Sequence, residues 1–474
     1  MFKVIDKIEK PYDENLTLVF QGKVEICPWL SEDNRKLIEK VMEKEEFNGE
    51  KNKKVKISFM EHGNLVTLTY VGCGKKEEFS KDDLREVLFK SLNGLKGTVL
   101  ISSNEKELRD KEIYGEIVYN VNYSFDRYIE SKSNKIDVDL FIENLENKDE
   151  SLEKSLGEMV NFARNLVDEP ANVINPETLA LRAENLGKEC GFEVEIFDEY
   201  RVAELGMEAF LAVARASKIR PRMIVMRYMG DKENKNIVGL VGKGLTYDTG
   251  GLCLKTADGM LEMKTDMGGA ATVIGTMGAL AKNKVKKNVV AVVAACENAI
   301  GSNAYRPGDI IKTMNGKTIE IINTDAEGRV TLADALTYII REEKVTEVID
   351  IATLTGGVMV ALGTLNTGLF SNNDEMADKF LQASKNVGEK YWRLPLNKEY
   401  GELIKSNVAD IKNSAGRWAS SITASKFLEE FVEGKPWIHL DIAGTAYLNS
   451  DGKWLKKGAT GVGVRTIFNY VINK

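Results

Sequence analysis

Histidine is almost absent from this 474-residue sequence, which contains only His62 and His439. A site built from two or three imidazoles is thereby excluded, and with it the HExxH zinc hydrolases. A Ser-His-Asp mechanism has only those two positions to draw on, and no GxSxG elbow occurs. Any metal would have to be held by carboxylates. Cysteine is sparse as well. The five at 27, 73, 190, 253 and 296 form no CxxC pair, which argues against a zinc ribbon or disulfide framework and for a reducing compartment. The longest apolar run, VVAVVAAC at 289–296, suits a buried strand and falls far short of a membrane span. The opening MFKVIDKIEKPYDE has no apolar core of a signal peptide, so a soluble, cytoplasmic chain without membrane partners is expected. Basic charge is in deficit: 65 Lys and Arg face 72 Asp and Glu, giving a net −7 and a pI near 5.4. That balance argues against nucleic acid as a partner, because phosphate binding needs a basic footprint.

The remaining composition, 43% hydrophobic and 29% charged, is that of a globular chain too long for one typical core. Two α/β domains are therefore expected. In residues 1–150, LTLVF, VKISF, LVTLTYV and GTVLI have strand patterns, while DDLREVLFKSLNGL and the stretch after Glu105 have helical ones. The charged segment NLENKDESLEKS places a boundary between residues 144 and 155, followed by a linking helix within 151–170. From 171 to 474 glycine is denser, and the apolar strands PRMIVMRYM, NIVGLVG, NVVAVVAAC, TIEIIN and EVIDIATL alternate with helices. Near-continuous hydrophobicity suits central strands covered on both faces, as in a mainly parallel sheet flanked by helices. Ligands in such sheets bind beyond the carboxyl ends of the strands.

Acidic clusters fall at those ends. NIVGLVG runs into Lys243 and then a turn, LTYDTGG, with Asp248. Asp266 precedes MGGAATVIGTMGALAK, which has the pattern of a buried helix. TIEIIN runs into Thr324, Asp325, Ala326, Glu327, Gly328 and Arg329 before the helix VTLADALTYII. Two explanations stay open: the acids cap helix N-termini, or they gather around divalent cations, without which clustered carboxylates repel one another. Glycines 250, 251, 268 and 269 fit turns and close helix packing equally well. Other motifs fail. GKT at 316–318 lacks the first P-loop glycine, because Ile311 stands there, and GKGLTY lacks the third glycine of a dinucleotide fingerprint. His439 reads as a core residue, His62 as part of a turn, and Cys253 and Cys296 as small buried hydrophobes.

VGKGLTYDTGGLCLK, MKTDMGGAA and NTDAEGRV together resemble the signature segments of the leucyl aminopeptidase (cytosol aminopeptidase) family of two-metal exopeptidases. The offsets from Lys243 to Asp248, Lys255, Asp266, Asp325, Glu327 and Arg329, which are 5, 12, 23, 82, 84 and 86, are similar to the family's. The resemblance spans about residues 160 to 470. Residues 1–150 match in size and general pattern only. Val330 in place of leucine, Thr249 in place of serine and the variable Cys253 are the departures, and none is a proposed ligand.

The resemblance implies that Asp248, Asp325 and Glu327 hold one divalent metal and that Lys243, Asp248, Asp266 and Glu327 hold a second, as Mn2+ or Zn2+. It implies that Lys255 polarises the scissile carbonyl and that Arg329 anchors a bicarbonate. Met263, Thr353 and Gly356 would line an apolar pocket, and Leu354 would offer its carbonyl to substrate. Peptides with leucine or other apolar N-terminal residues are the implied substrates, and a homo-hexamer is the implied assembly, with residues 1–150 serving oligomerisation. Some family members add a DNA-binding or regulatory role, which the acidic balance disfavours here.

Overall fold

Alternating and continuous hydrophobic patterns fold into two different sheets. The structure, a computed structural model, describes every residue except 9, 23, 25, 27–29, 104, 143, 144 and 146. Cys27 and part of the expected boundary segment lie outside the described residues. Two compact units result: 1–158 with 450–457, and 159–449 with 458–474.

The first unit has strands β1 (Phe2–Val4), β2 (Glu14–Val19), β3 (Lys54–Glu61), β4 (Asn64–Gly72), β5 (Gly97–Ser103) and β6 (Ile136–Ile142). They pair in the order β1-β6-β5-β2-β4-β3, parallel except for the β3–β4 hairpin. Every second residue of β3 is buried, as the alternation in VKISF requires. Leu16, Leu18, Val99, Ile101, Val138 and Leu140 form a core with residues of helices Lys81–Leu92 and Lys111–Asn122, whereas Val55, Ile57 and Phe59 pack with Ile38 and Met42 of helix Glu32–Lys44. Strands β1 and β6 have no counterpart in the sequence expectations.

The second unit is built on β7 (Glu193–Phe197), β8 (Arg222–Met229), β9 (Ile237–Asp248), β10 (Asn288–Asn298), β11 (Ile310–Lys312) and β12 (Thr318–Glu320). It continues with β13 (Glu347–Ala352), β14 (Thr367–Ser371), β15 (Tyr391–Arg393), β16 (Ile411–Lys412) and β17 (Trp437–Asp441). The main sheet has the order β15-β14-β17-β13-β9-β10-β8-β7, and its central strands β17, β13, β9 and β10 are parallel. Their residues are almost all buried, as expected for strands covered on both faces. Helix Glu327–Arg341 contributes Val330, Leu332, Ala333, Leu336 and Ile339 to the core that also holds Val241, Val292 and Val348. Helix Gly268–Lys282 is buried from Gly268 to Ala281. It approaches so closely that a Cβ at Gly269 would stand 2.0 Å from the Ile351 carbonyl oxygen and 2.9 Å from Lys243 N. Among the described residues no helix is long and apolar enough to cross a membrane.

Two local expectations are corrected. TIEIIN does not join the main sheet: β12 pairs with β11 and β16 in a separate three-stranded sheet. Its ordered strand is three residues long, and its partners are the similarly short β11 and β16. Nor does β9 end near Lys243. It continues through the buried Leu245 and Thr246 to Asp248, because β10 stays paired beside it, so the turn begins only at Thr249.

Candidate metal centre

Lys243 lies mid-strand on β9, Asp248 at that strand's end, and Asp266 just before helix Gly268–Lys282. Asp325 and Glu327 lead into helix Glu327–Arg341. The helix-cap explanation fails for Asp266 and Asp325. The N-cap positions are Met267 and Ala326, and neither helix start has a side-chain cap. The glycines do serve turns, since Gly250 and Gly251 have φ of +84° and +63°.

Two lysines meet four carboxylates here. Lys243 Nζ lies 2.8 and 2.7 Å from the Asp266 oxygens, 2.9 Å from Glu327 Oε1 and 3.0 Å from the Thr353 carbonyl. Lys255 Nζ lies 2.7 Å from Asp248 Oδ2 and also pairs with Asp325 Oδ1. Carboxylate oxygens of Asp248, Asp325 and Glu327 come within 4.8 Å of one another. Thr353 Oγ1 donates to Asp266 Oδ1 at 2.7 Å, bringing the end of β13 to the cluster.

Burial governs the electrostatics. Removal from water pushes the Glu327 carboxyl up to about 8, with the nearby Asp248 adding to the rise and Lys243 opposing it. The same desolvation raises Asp266 to about 6. Desolvation pulls the Lys243 and Lys255 ammonium groups down, but the surrounding carboxylates outweigh it and hold both above the usual lysine range. The sum is nonetheless unbalanced: two ammonium groups face four carboxylates, of which Asp248, Asp266 and Glu327 are buried and Asp325 is partly exposed. Glu327 Oε2, fully buried, has no hydrogen-bond partner. A set of four carboxylates and one amine, with more acids than bases and an unused buried acceptor on Glu327, fits hard or borderline divalent cations.

Arg329 is buried behind the cluster. Its Nη1 donates to the Asn413 carbonyl at 2.9 Å, its Nε has no hydrogen-bond partner, and desolvation lowers it to about 10. Of the residues expected to line the pocket, Thr353 touches the cluster directly. Leu354 N donates to Asp441 Oδ1 at 3.1 Å, the half-buried Met263 gives its carbonyl to Asp266 N at 3.3 Å, and Gly356 opens helix Gly356–Leu362.

The catalytic-domain model of the cytosol aminopeptidase family matches residues 161–468, and the family's N-terminal-domain model matches 23–132. The chain belongs to the cytosol aminopeptidase family. It is a metal-dependent aminopeptidase, and the likeness reaches beyond the motifs of 160–470 into the first unit. Similar proteins include the probable cytosol aminopeptidase of Fusobacterium nucleatum, 46% identical over 476 residues covering 99% of this chain and 98% of that protein. That of Clostridium perfringens is 45% identical over 491 residues, covering 99% and 98%, and that of Aquifex aeolicus 41% over 481 residues, covering 98% and 97%.

Several buried polar residues around the cluster escaped sequence reading. Asn298 Nδ2 donates to Asp248 Oδ1 at 2.8 Å and to the Thr324 carbonyl at 3.0 Å. Asn413 Oδ1 accepts from the amides of Ile322 and Asn323, while its Nδ2 donates to the Asn323 and Ala326 carbonyls. Asp441 accepts from Leu354 N and Thr355 N and from Thr355 Oγ1. The one available signal was position: Asn298 and Asp441 end β10 and β17, where the strand-end rule places ligand sites.

Proposed function

We propose that this enzyme removes leucine and other apolar residues from the N-termini of peptides, using two divalent ions, Mn2+ or Zn2+. The observation that carries the reading is a cluster of four carboxylates, three of them buried, facing only two ammonium groups. Asp248, Asp325 and Glu327 would hold one ion; Lys243, Asp248, Asp266 and Glu327 would hold the other, with the Lys243 amine giving up its proton in the incoming cation's field. Such a pair activates water near neutral pH, polarises the scissile carbonyl and anchors a free α-amine, and it is already known from aminopeptidases as a class.

The chain's own groups do the rest. Lys255, the less buried lysine, is held protonated by its carboxylate neighbours and donates to the carbonyl oxygen as negative charge develops there. Arg329, with an unpaired buried Nε, would hold a bicarbonate that relays the proton to the departing amine, since the cluster has no spare histidine. Thr353, Gly356 and Met263 would shape the pocket for the N-terminal side chain, and the Leu354 carbonyl would accept from the substrate. A homo-hexamer is the assembly this reading carries, with the first unit serving it.

The direct test is hydrolysis of a leucine anilide by protein stripped of metal and reloaded with manganese, zinc or cobalt. Restored turnover, abolished by Asp325→Ala and by Glu327→Ala, is expected. Turnover that survives stripping, or both substitutions, overturns the reading.

A further inference from the structure

We propose that Asn298 is a positioning residue for the metal centre, fixing which oxygen of Asp248 faces the cation and tying that carboxylate to the loop that carries Asp325. The proposal rests on the two-ion reading above.

The argument begins with strand register. Strands β9 and β10 run parallel with Cys296 opposite Leu245, but Glu297 stands opposite Tyr247 and Asn298 opposite Asp248. One extra residue, Thr246, is accommodated on β9. Without that bulge Asn298 would face Tyr247, and side chains beyond it would point to opposite faces of the sheet. The irregularity thus brings Asn298 and Asp248 onto one side, at the carboxyl ends of two adjacent parallel strands.

Once there, hydrogen-bond chemistry fixes the amide. Asp248 Oδ1 and the Thr324 carbonyl are both pure acceptors, so only the Nδ2 end of Asn298 can face them. Its Oδ1 is directed instead toward Gly251, where a Cβ would come within 2.9 Å. Asp248 Oδ1 accepts a second bond from Gly250 N at 2.8 Å and is then fully used. The oxygen left for the cluster is Oδ2, which sits beside Lys255 Nζ. Asn298 is itself 1% exposed, so water cannot replace it cheaply. Through the Thr324 carbonyl the same amide holds the residue next to Asp325, whose backbone is otherwise fixed by Asn323 Oδ1 at 2.9 Å. One side chain therefore sets the separation of two carboxylates that come from elements 77 residues apart in sequence, Asp248 and Asp325. Groups of this kind behind metal ligands typically govern affinity by 10–100-fold.

A comparison is built in. Tyr305 OH donates to the same Thr324 carbonyl at 2.7 Å but does not touch Asp248. Removing it takes away the support of Thr324 alone.

The test titrates the full-length, metal-stripped protein with Mn2+ and with Zn2+ against a fluorescent chelator, for wild type, Asn298→Ala, Asn298→Asp and Tyr305→Phe. Metal affinity should fall about 10–100-fold in Asn298→Ala, as expected for lost support behind a ligand. Asn298→Asp, which conserves shape but turns an acceptor toward two acceptors, should lose at least as much. Tyr305→Phe should lose less than about threefold, the effect of one hydrogen bond of about 0.6 kcal/mol. Turnover in Asn298→Ala should return when the metal concentration is raised by the factor lost, which a general folding defect would not allow. Affinity in Asn298→Ala equal to wild type, or reduced only as far as in Tyr305→Phe, overturns the proposal. So does failure of both Asn298 variants to fold by circular dichroism, which would make the residue a folding determinant. Wild-type protein that takes up no divalent ion instead fails the two-ion reading.

Discussion

The Asn413 carbonyl accepts from Arg329 Nη1 at 2.9 Å, while the side chain of the same asparagine binds the loop leading to Glu327 at four points. The guanidinium and the loop that carries Asp325 and Glu327 therefore hang on one residue that is completely buried. Asn413→Ala would leave the Ile322 and Asn323 amides without their acceptor. The expected loss is about 1–3 kcal/mol of stability, because the two amides are only partly buried and water can replace part of what the side chain supplies. Urea denaturation reads that loss, and turnover should fall with it. Asn413→Asp keeps the two acceptor bonds and should fall between.

The two lysines make separable predictions. Lys255→Ala should cut turnover by about 10²–10³, the typical effect of losing one donor to a developing oxyanion. Bound metal, counted by plasma emission spectrometry, should stay near the wild-type level. Lys243→Ala should lose metal as well, because Lys243 lies against both Asp266 and Glu327. Metal loss in the Lys255 variant alone would reverse the two roles.

Adding Mn2+ or Zn2+ to stripped protein should raise the thermal midpoint, because a cation offsets the excess of carboxylates over ammonium groups and replaces the proton that Glu327 otherwise holds near neutral pH. Binding at 100 times the dissociation constant stabilises by about 2.7 kcal/mol. Differential scanning fluorimetry checks this. A midpoint that does not move with metal would mean that the carboxylates are satisfied without it.

A pH dependence unrelated to the metal centre should come from His439. Its Nδ1 pairs with Asp350 Oδ1 at 2.6 Å, Asp350 Oδ2 accepts from Trp437 Nε1 at 2.6 Å, and Trp437 and Phe370 stack near the imidazole. Burial lowers the imidazole's proton affinity and the nearby Arg329 opposes protonation, but Asp350, aided by Asp441, prevails and holds it above the ordinary 6.5. A raised histidine contributes stability that is complete below the unfolded value of about 6.5 and is lost as pH rises through the folded value. Stability attributable to this pair should thus decline on going alkaline. Urea midpoints between pH 6 and 9 should show the slope in wild type and a flatter one in Asp350→Asn, which should also be destabilised by about 3–5 kcal/mol as a broken buried pair.

What could be read from the residues depended on whether burial and chemistry pulled together. The central strands announce themselves because both faces are covered, so VVAVVAAC needs no polar alternation. Acidic clustering at strand ends and the family motifs single out Asp248, Asp266, Asp325 and Glu327, which the fold brings into one cluster. The position of Lys243 inside β9 was hidden, because a lysine normally marks the end of a buried strand and here its charge is met by Asp266 and Glu327, distant in sequence. Asn298 and Asn413 leave no pattern at all: a neutral amide in a loop or at a strand end looks like ordinary turn chemistry until its acceptors are seen. The partners of β12 are not legible in TIEIIN, because an apolar run gives the strand but not the sheet it pairs with.

Residues 450–457 belong with the first unit, although the chain on both sides of them belongs with the second. Trp454 packs against the first unit's core, its carbonyl accepts from Asn120 Nδ2 at 3.5 Å, and Lys456 Nζ reaches the Val121 carbonyl at 2.7 Å. The first unit is therefore not a cassette that a single cut near residue 158 could remove. Truncation there would leave a tryptophan and its neighbours without shelter, some 290 residues downstream of the cut. In evolutionary terms, exchanging this unit for another requires two coordinated changes in the gene, one of them lying between the segments that build the metal-binding unit. Eight residues, 450–457, thus carry the first unit's fold into the second half of the chain's sequence.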